Sequence, residues 1–295
     1  MQYADSIAQV NVIKTGTLLD KLTGIGGLPR GRIAEIYGDP SVGKSTVSFQ
    51  AIANAQQSGY RCLFADVEWS YEARYAEALG VDNSKLGIIR SEMAEDVLDE
   101  LEKEIRSGEW DLIVLDSIGG LLPRQEAEKD SGSKTIGGQA SLVARFCRKV
   151  VPLLATKDVA MLVLNHSFTD LMTGAIKTSG GAKLDFHKSI SIRLKKKMNA
   201  VLKSGDKKVG KVIIGEVKKN KLAATEGLEV EGQLLFGNGF SAKLDLLADA
   251  IDAGIITRDG ANFYFGGEKI AYGEPKMRKL METDFSEKVR EAIAA

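Results

Sequence analysis

Over roughly residues 32 to 165 the chain alternates short, mainly apolar runs with stretches in which apolar residues recur every three or four positions. The runs predict strands at Arg32–Tyr37, Arg61–Asp66, Leu86–Arg90, Asp111–Asp116 (DLIVLD) and Val159–Asn165 (VAMLVLN). The periodic stretches predict helices at Lys44–Gln57, Tyr71–Leu79, Glu95–Ser107 and Gln139–Thr156. A strand that is apolar at every position has no face to offer water, so such strands between helices predict a parallel sheet covered on both sides. Past residue 188 the rhythm changes to alternating segments at Ser189–Lys195, Lys211–Lys218 and Gly232–Phe236, which predict antiparallel strands extending the same sheet. Gly237-Asn238-Gly239 is a turn signal and marks a domain boundary; a helix (Lys243–Ala253), a hairpin (Phe263–Ile270) and a terminal helix follow it. The expected fold class is α/β, with a mostly parallel central sheet over residues 15–238, a small α+β domain over 239–295 and a short N-terminal segment, 1–14.

Composition changes this picture little. Of 295 residues, 44% are hydrophobic and 27% charged, the balance of a folded globular chain. Lys+Arg and Asp+Glu are 40 each, so net charge does not point to a polyanionic partner and local charge must decide. No apolar run reaches the ~18 residues that span a membrane. The opening MQYADSIAQV lacks the features of a secretory signal, and a cytoplasmic setting is expected. Cys62 and Cys147 each lie in an apolar stretch and read as buried thiols of a reducing compartment. With two histidines beside them, zinc chemistry has almost no ligands.

The chemistry is concentrated at one segment. Gly38-Asp39-Pro40-Ser41-Val42-Gly43-Lys44-Ser45, followed by Thr46, fits G-x-x-x-x-G-K-[ST] between a predicted strand and a predicted helix. Backbone N–H groups and the helix N-terminus there can cradle phosphates. Lys44 would neutralise the β and γ oxygens of ATP, and the Ser45 hydroxyl would ligate Mg²⁺. Asp116 ends the run LIVLD, which places its carboxylate at the sheet's carboxyl edge, suited to the Mg²⁺ shell. Glu68 follows RCLFAD in the same way and can orient or deprotonate an attacking water. Spacing alone leaves a solvated loop glutamate equally open.

From these residues outward the sequence resembles the RecA recombinase family. TGTLLDKLTGIGGLPRGRIAEIYGDPSVGKST is similar to the lead into that family's phosphate loop, ADVEWSYEARYAEALGV to the segment bearing its catalytic glutamate, and IVLDS to its second acidic strand. KKNKLAA (218–224) resembles its K-x-K motif, and LLADAIDAGIITRDGANFYFGGEKIAYGE its small C-terminal domain. The resemblance implies that Glu68 is the catalytic glutamate and that Tyr75 stacks on adenine. It also implies that Lys219 and Lys221 reach the ATP of a neighbouring copy in a helical filament, as an arginine finger does. Phe186 falls at an aromatic interface position of the family, where bare sequence would place it in the core.

Two polar, glycine-bearing segments, Arg124–Gly138 and Ser167–Gly181, match the family's two DNA-binding loops. Gly180 and Gly181 permit close approach of a phosphate. Lys134, Lys177 and Arg148 can supply charge, and Phe168 or Met172 can wedge between bases. Residues 193–221 add eleven Lys/Arg against Asp206 and Glu216, a stripe able to neutralise phosphates. His166 stands where the bacterial family has a glutamine that senses the γ-phosphate, and the Asn165-His166 pair looks more like the family's phage members. Imidazole can keep that sensor role. Asp185 replaces a lysine, and Ser141 an arginine used near DNA. Few residues precede the core resemblance, so Gln9–Ile13 is the expected docking strand, without the usual docking helix.

The resemblance therefore implies an ATP- and Mg²⁺-dependent recombinase that binds single-stranded and double-stranded DNA, serves recombination and repair, and assembles as a homo-oligomer. A recombination mediator without strand exchange, or a ring-forming helicase motor, are the alternatives on the same core.

Overall fold

The computed structural model describes residues 10–128, 138–170, 174–204 and 206–294. Ahead of the main sheet come β1 (Val12–Ile13), α1 (Leu19–Leu22) and β2 (Leu28–Pro29), with β1 antiparallel to β2. The core then alternates β3 (Ile33–Gly38), α2 (Lys44–Gln57), β4 (Cys62–Asp66), α3 (Ala73–Ala78), β5 (Leu86–Ile89), α4 (Ala94–Ser107) and β6 (Leu112–Asp116). After α5 (Arg124–Ala127) it continues with α6 (Gly138–Lys157), β7 (Ala160–Thr169), β8 (Ile176–Thr178) and α7 (Gly181–His187). Long strands β9 (Ile190–Ser204) and β10 (Lys207–Asn220) follow, then β11 (Glu229–Leu235) and β12 (Gly239–Phe240). The C-terminal elements are α8 (Ala242–Asp252), β13 (Ile256–Asp259), β14 (Asn262–Phe265), β15 (Glu268–Tyr272), α9 (Glu274–Met281) and α10 (Phe285–Ala294).

Hydrogen bonds order the large sheet β12-β11-β10-β9-β3-β7-β6-β4-β5, with β8 on β7. The pairs β3–β7, β3–β9, β6–β7, β4–β6 and β4–β5 are all parallel. The expected fold class is therefore the observed one. The continuous apolar runs hide a period of two, because successive side chains leave opposite faces of the sheet. Leu63, Ala65, Ile113, Leu115, Met161 and Val163 pack with α4 and α6 in one cluster. Phe64, between two of them, turns to α2, its ring 5.4 Å from that of Phe49.

By contacts the chain forms two compact units: the chain up to Lys195 with Gly215–Val230, and Lys196–Ile214 with Glu231 onward. The second unit holds its own core of Leu247, Ala250, Ile256, Phe263, Met277 and Val289. Its three-stranded antiparallel sheet, β13-β14-β15, and the break between α9 and α10 go beyond the expected hairpin and single terminal helix. The additional strand is joined by the two-residue loop Gly260-Ala261, in which Gly260 supplies the positive φ (56°) and Asp259 pairs with Asn262. β7 also runs past its apolar stretch to Thr169, because β8 turns back on it with Ser167 opposite Thr178. Strand pairing, rather than burial, sets that length. No helix among the described residues is long and apolar enough to cross a membrane.

Candidate active site

Because β3, β4, β6 and β7 are parallel, they run to one edge, where Gly38 and Asp116 end β3 and β6, Glu68 follows β4, and His166 lies on β7 beside Gly38. In register, Gly38 lies beside His166 on one side and Leu194 on the other. A Cβ on Gly38 would meet the Leu194 carbonyl oxygen at 2.2 Å, so no other residue fits. Ser41 (φ 59°) and Gly43 (φ 94°) take left-handed conformations. Such residues turn successive N–H groups into an anion-binding concavity. Gly43 brings no side chain to cap α2, leaving the first-turn N–H groups for another acceptor. Asp39, Pro40 and Ser41 are exposed, while Val42, Lys44 and Thr46 are buried. Lys44 Nζ donates to the carbonyls of Gly38 (2.9 Å) and Asp39 (3.0 Å), curling the ammonium into the loop. Burial lowers its pKa, against the opposing charges of Asp116, Glu68 and Asp39.

Ser45 Oγ donates to Asp116 Oδ2 at 2.9 Å. Asp116 is 3% exposed, and burial, with the charges of Glu68 and Asp66, pushes its pKa up to about 6 despite Ser45 and Lys44. A buried carboxylate held so high gains from a cation. Mg²⁺ keeps several waters and takes one or two protein oxygens besides phosphates. The Ser45–Asp116 pair fits that demand. Among the described residues no group of three His, Cys, Asp or Glu could hold a metal ion.

Glu68 is fixed from three strands, β4, β6 and β7. Asp66, fully buried at the end of β4, accepts from the N–H groups of Ser70 (2.9 Å) and Tyr71 (3.1 Å) and from Arg90 Nη2 (2.6 Å), which anchors the turn. Ser117, just past β6, donates a short hydrogen bond to Glu68 Oε1. His166 Nε2 donates to the same oxygen at 2.7 Å. Burial raises the Glu68 pKa, but the bonds from Ser117 and His166 and the nearby positive charge outweigh it and hold it below the usual glutamate range. Glu68 is exposed, and one of its carboxylate oxygens is held by both Ser117 and His166. Ser117 and Asp66 are additions to the set read from sequence, since a serine and an aspartate at strand ends carry no signal by themselves.

The remaining residues are placed as follows. Tyr75 OH lies 2.7 Å from Thr46 Oγ1, and Ser167 Oγ donates to Asp39 Oδ1 at 2.7 Å. Lys219 and Lys221 bond the carbonyls of Asp185 and Phe186 at the end of α7, away from the phosphate loop in sequence and in partners. Phe186 is 70% exposed, which overturns a core position. Burial lowers the pKa of His187, and Lys221, Arg148, Lys183 and Lys219 lower it further, recording a concentration of positive charge at this end of α7. Arg148 is exposed on α6, Phe168 is 50% exposed, and Lys177 pairs with Asp170. Gly180 and Gly181 adopt φ of 91° and 69°. Met172, Lys134 and Gln9 lie outside the described residues. The lysine stripe is weaker than its count suggests. Lys195 pairs with Glu229 (2.5 Å), Lys197 with Glu231 (2.5 Å) and Lys218 with Glu216, and two of these acids lie outside the stripe. Cys62 and Cys147 are buried free thiols, each pushed up to about 12 by burial.

The family described as RecA N-terminal domain matches residues 1–241. Protein RecA of Chlorobaculum tepidum is 36% identical over 283 residues, 95% of this chain and 81% of the relative. Protein RecA of Deinococcus radiodurans is 36% identical over 302 residues, covering 99% and 83%. A crystal structure of the RadB recombinase superposes with a TM-score of 0.59 at 18% identity, over 77% of this chain and 98% of that one, a likeness of fold.

Proposed function

Because the chain belongs to the RecA family, we propose that it is a DNA-dependent ATPase that coats single-stranded DNA, pairs it with homologous duplex and exchanges strands. ATP is hydrolysed at junctions between copies. What carries the reading is the convergence of Lys44, the Ser45–Asp116 pair, and a Glu68 carboxylate held by Ser117 and His166 on one sheet edge. Lys44 and the left-handed loop bind the β and γ phosphates. Ser45 and Asp116 would hold Mg²⁺, which when bound neutralises phosphate charge. Adenine stacks on Tyr75. Glu68 takes a proton from the attacking water as the water oxygen bonds γ-phosphorus and ADP leaves.

In this resting geometry Glu68 is a poor base, since two donors already satisfy one of its oxygens. His166 engaged by a γ-phosphate would leave Glu68 with one donor fewer and a higher pKa, which ties hydrolysis to a seated triphosphate. The positive end of α7, with Lys219 and Lys221, supplies charge to the triphosphate of the next copy. Residues 167–181, with Phe168, Met172, Lys177, Gly180 and Gly181, and Arg148 on α6, contact DNA. Joint-molecule formation between circular single strands and homologous linear duplex, with ATP and Mg²⁺, tests the proposal. Its absence across salt and nucleotide conditions would leave a nucleotide-binding protein without the recombinase activity.

A further inference from the structure

At the base of the second loop lies a buried polar group that this reaction does not use. Glu35, on β3 and fully buried, accepts at Oε1 from Asn165 Nδ2 (3.0 Å) and at Oε2 from Lys188 Nζ (2.5 Å) and Ser191 Oγ (2.7 Å). Lys188 is 5% exposed and also reaches Asp185 Oδ1 at 2.5 Å. Asn165, itself fully buried, gives the rest of its amide to main chain. Its Oδ1 accepts from the His166 N–H at 2.9 Å, and its Nδ2 donates to the Ser179 carbonyl at 2.9 Å. These bonds also settle which way the amide points, because the His166 N–H needs an acceptor.

An ion pair buried this deeply is a weak source of stability: desolvating two charges costs about what their attraction returns, and apolar pairs of similar volume often do as well. What this pair achieves is registration. Helix α7 is held before its start through Ser179–Asn165 and just past its end through Lys188–Glu35. The same asparagine holds the backbone of His166. Ser179 directly precedes the left-handed pair Gly180–Gly181, where the chain turns into α7. The segment from His166 to Lys188 is thus tied at three points to one carboxylate and its asparagine.

We infer that Glu35, Asn165 and Lys188 are positioning residues that couple the state of His166 to the second loop and α7. The inference rests on the proposed function in that it takes His166 to meet a γ-phosphate and the loop to meet DNA. Any shift of the His166 backbone acts on Asn165 Oδ1. The amide cannot turn without disturbing its bonds to Ser179 and Glu35, and Glu35 passes the change to Lys188.

The test uses the double variant E35Q/K188M, which removes both charges together, with K188R as the conservative control. Hydrogen exchange over residues 174–188 is followed with and without a non-hydrolysable ATP analogue and Mg²⁺. Nucleotide affinity and ATP hydrolysis with and without single-stranded DNA are measured alongside. Expected for the double variant are affinity and DNA-free hydrolysis within about twofold of the parent and a nucleotide-dependent exchange response reduced about fivefold or more, with a parent-like response in K188R. A folded double variant that responds like the parent overturns the inference. So does a parent whose residues 174–188 ignore nucleotide, or a parallel loss of nucleotide affinity, which marks a merely structural role. If the double variant does not fold, Asn165→Ala carries the same test with the ion pair intact. A parent that responds in exchange but is not stimulated by DNA would sink the recombinase reading and leave the coupling standing.

Discussion

Replacing Asp116 by Asn should stabilise the nucleotide-free protein while abolishing its response to Mg²⁺ and ATP. Asp116 is 3% exposed, and burial lifts its pKa from 3.8 to about 6. A carboxyl raised on folding stabilises the native state below its unfolded pKa, and that contribution disappears as pH rises through about 6. At pH 7.5 the ionised group therefore costs the fold about 3 kcal/mol, two pKa units at about 1.4 kcal/mol each. Asparagine keeps the shape and removes the charge. For a unit of this size, about 2–4 °C per kcal/mol translates to a melting point roughly 6–12 °C higher. The gain should shrink as pH falls through about 6 and vanish near 4, where the parent carboxyl is also neutral. Thermal unfolding from pH 4 to 8, free of nucleotide and divalent cation, reads this directly. With Mg²⁺ and ATP the order should invert, since only the parent gains a ligand. A variant less stable than the parent at pH 7.5, or one whose gain does not vary with pH, would refute the reasoning: the anion would then be fully satisfied by Lys44 and Ser45.

Glu68→Gln should bind ATP within about twofold of the parent and hydrolyse it about 10²–10⁴-fold more slowly, read by phosphate release; an unchanged rate would make Glu68 idle. Lys219→Ala with Lys221→Ala should leave nucleotide affinity intact, while DNA-dependent hydrolysis falls about 10²-fold or more, because only a neighbour's site loses charge. Equal loss of binding would place these lysines in their own site. Gly38→Ala should destabilise by about 3 kcal/mol or more, or fail to fold, since the added methyl meets the backbone oxygen of Leu194 at 2.2 Å; near-parent denaturant stability would contradict the strand register.

The core was legible because its signals are local. VAMLVLN and LIVLD are apolar up to their last residue, and α2 spans Lys44–Gln57 as its periodicity predicts. The phosphate loop was equally plain, since Gly38 and Gly43 are needed for backbone reasons that spacing records. What was not legible depends on distant partners. Ile176–Thr178 is a strand only because Ser167–Thr169 offers an edge to it. Phe186 reads as core by composition and stands exposed beside Lys183, 5.8 Å from its ring. Ser117 and His166 are 49 residues apart in sequence and meet on one oxygen of Glu68, which parallel strand order alone brings about. Glu35 stands among Ile33, Ala34, Ile36 and Tyr37, and nothing near it in sequence gives it a role. Its meaning appears only with Lys188 and Asn165 folded against it.

The account turns on a triphosphate site that copies of the chain complete on DNA. The most direct measurement is the rate of ATP hydrolysis at saturating ATP and Mg²⁺, with and without single-stranded DNA, over a range of protein concentration. Acceleration of about tenfold or more by DNA, rising with protein concentration, is predicted, since a cation supplied in trans is worth up to about 10³–10⁵. A rate that DNA leaves unchanged at every protein concentration would contradict it.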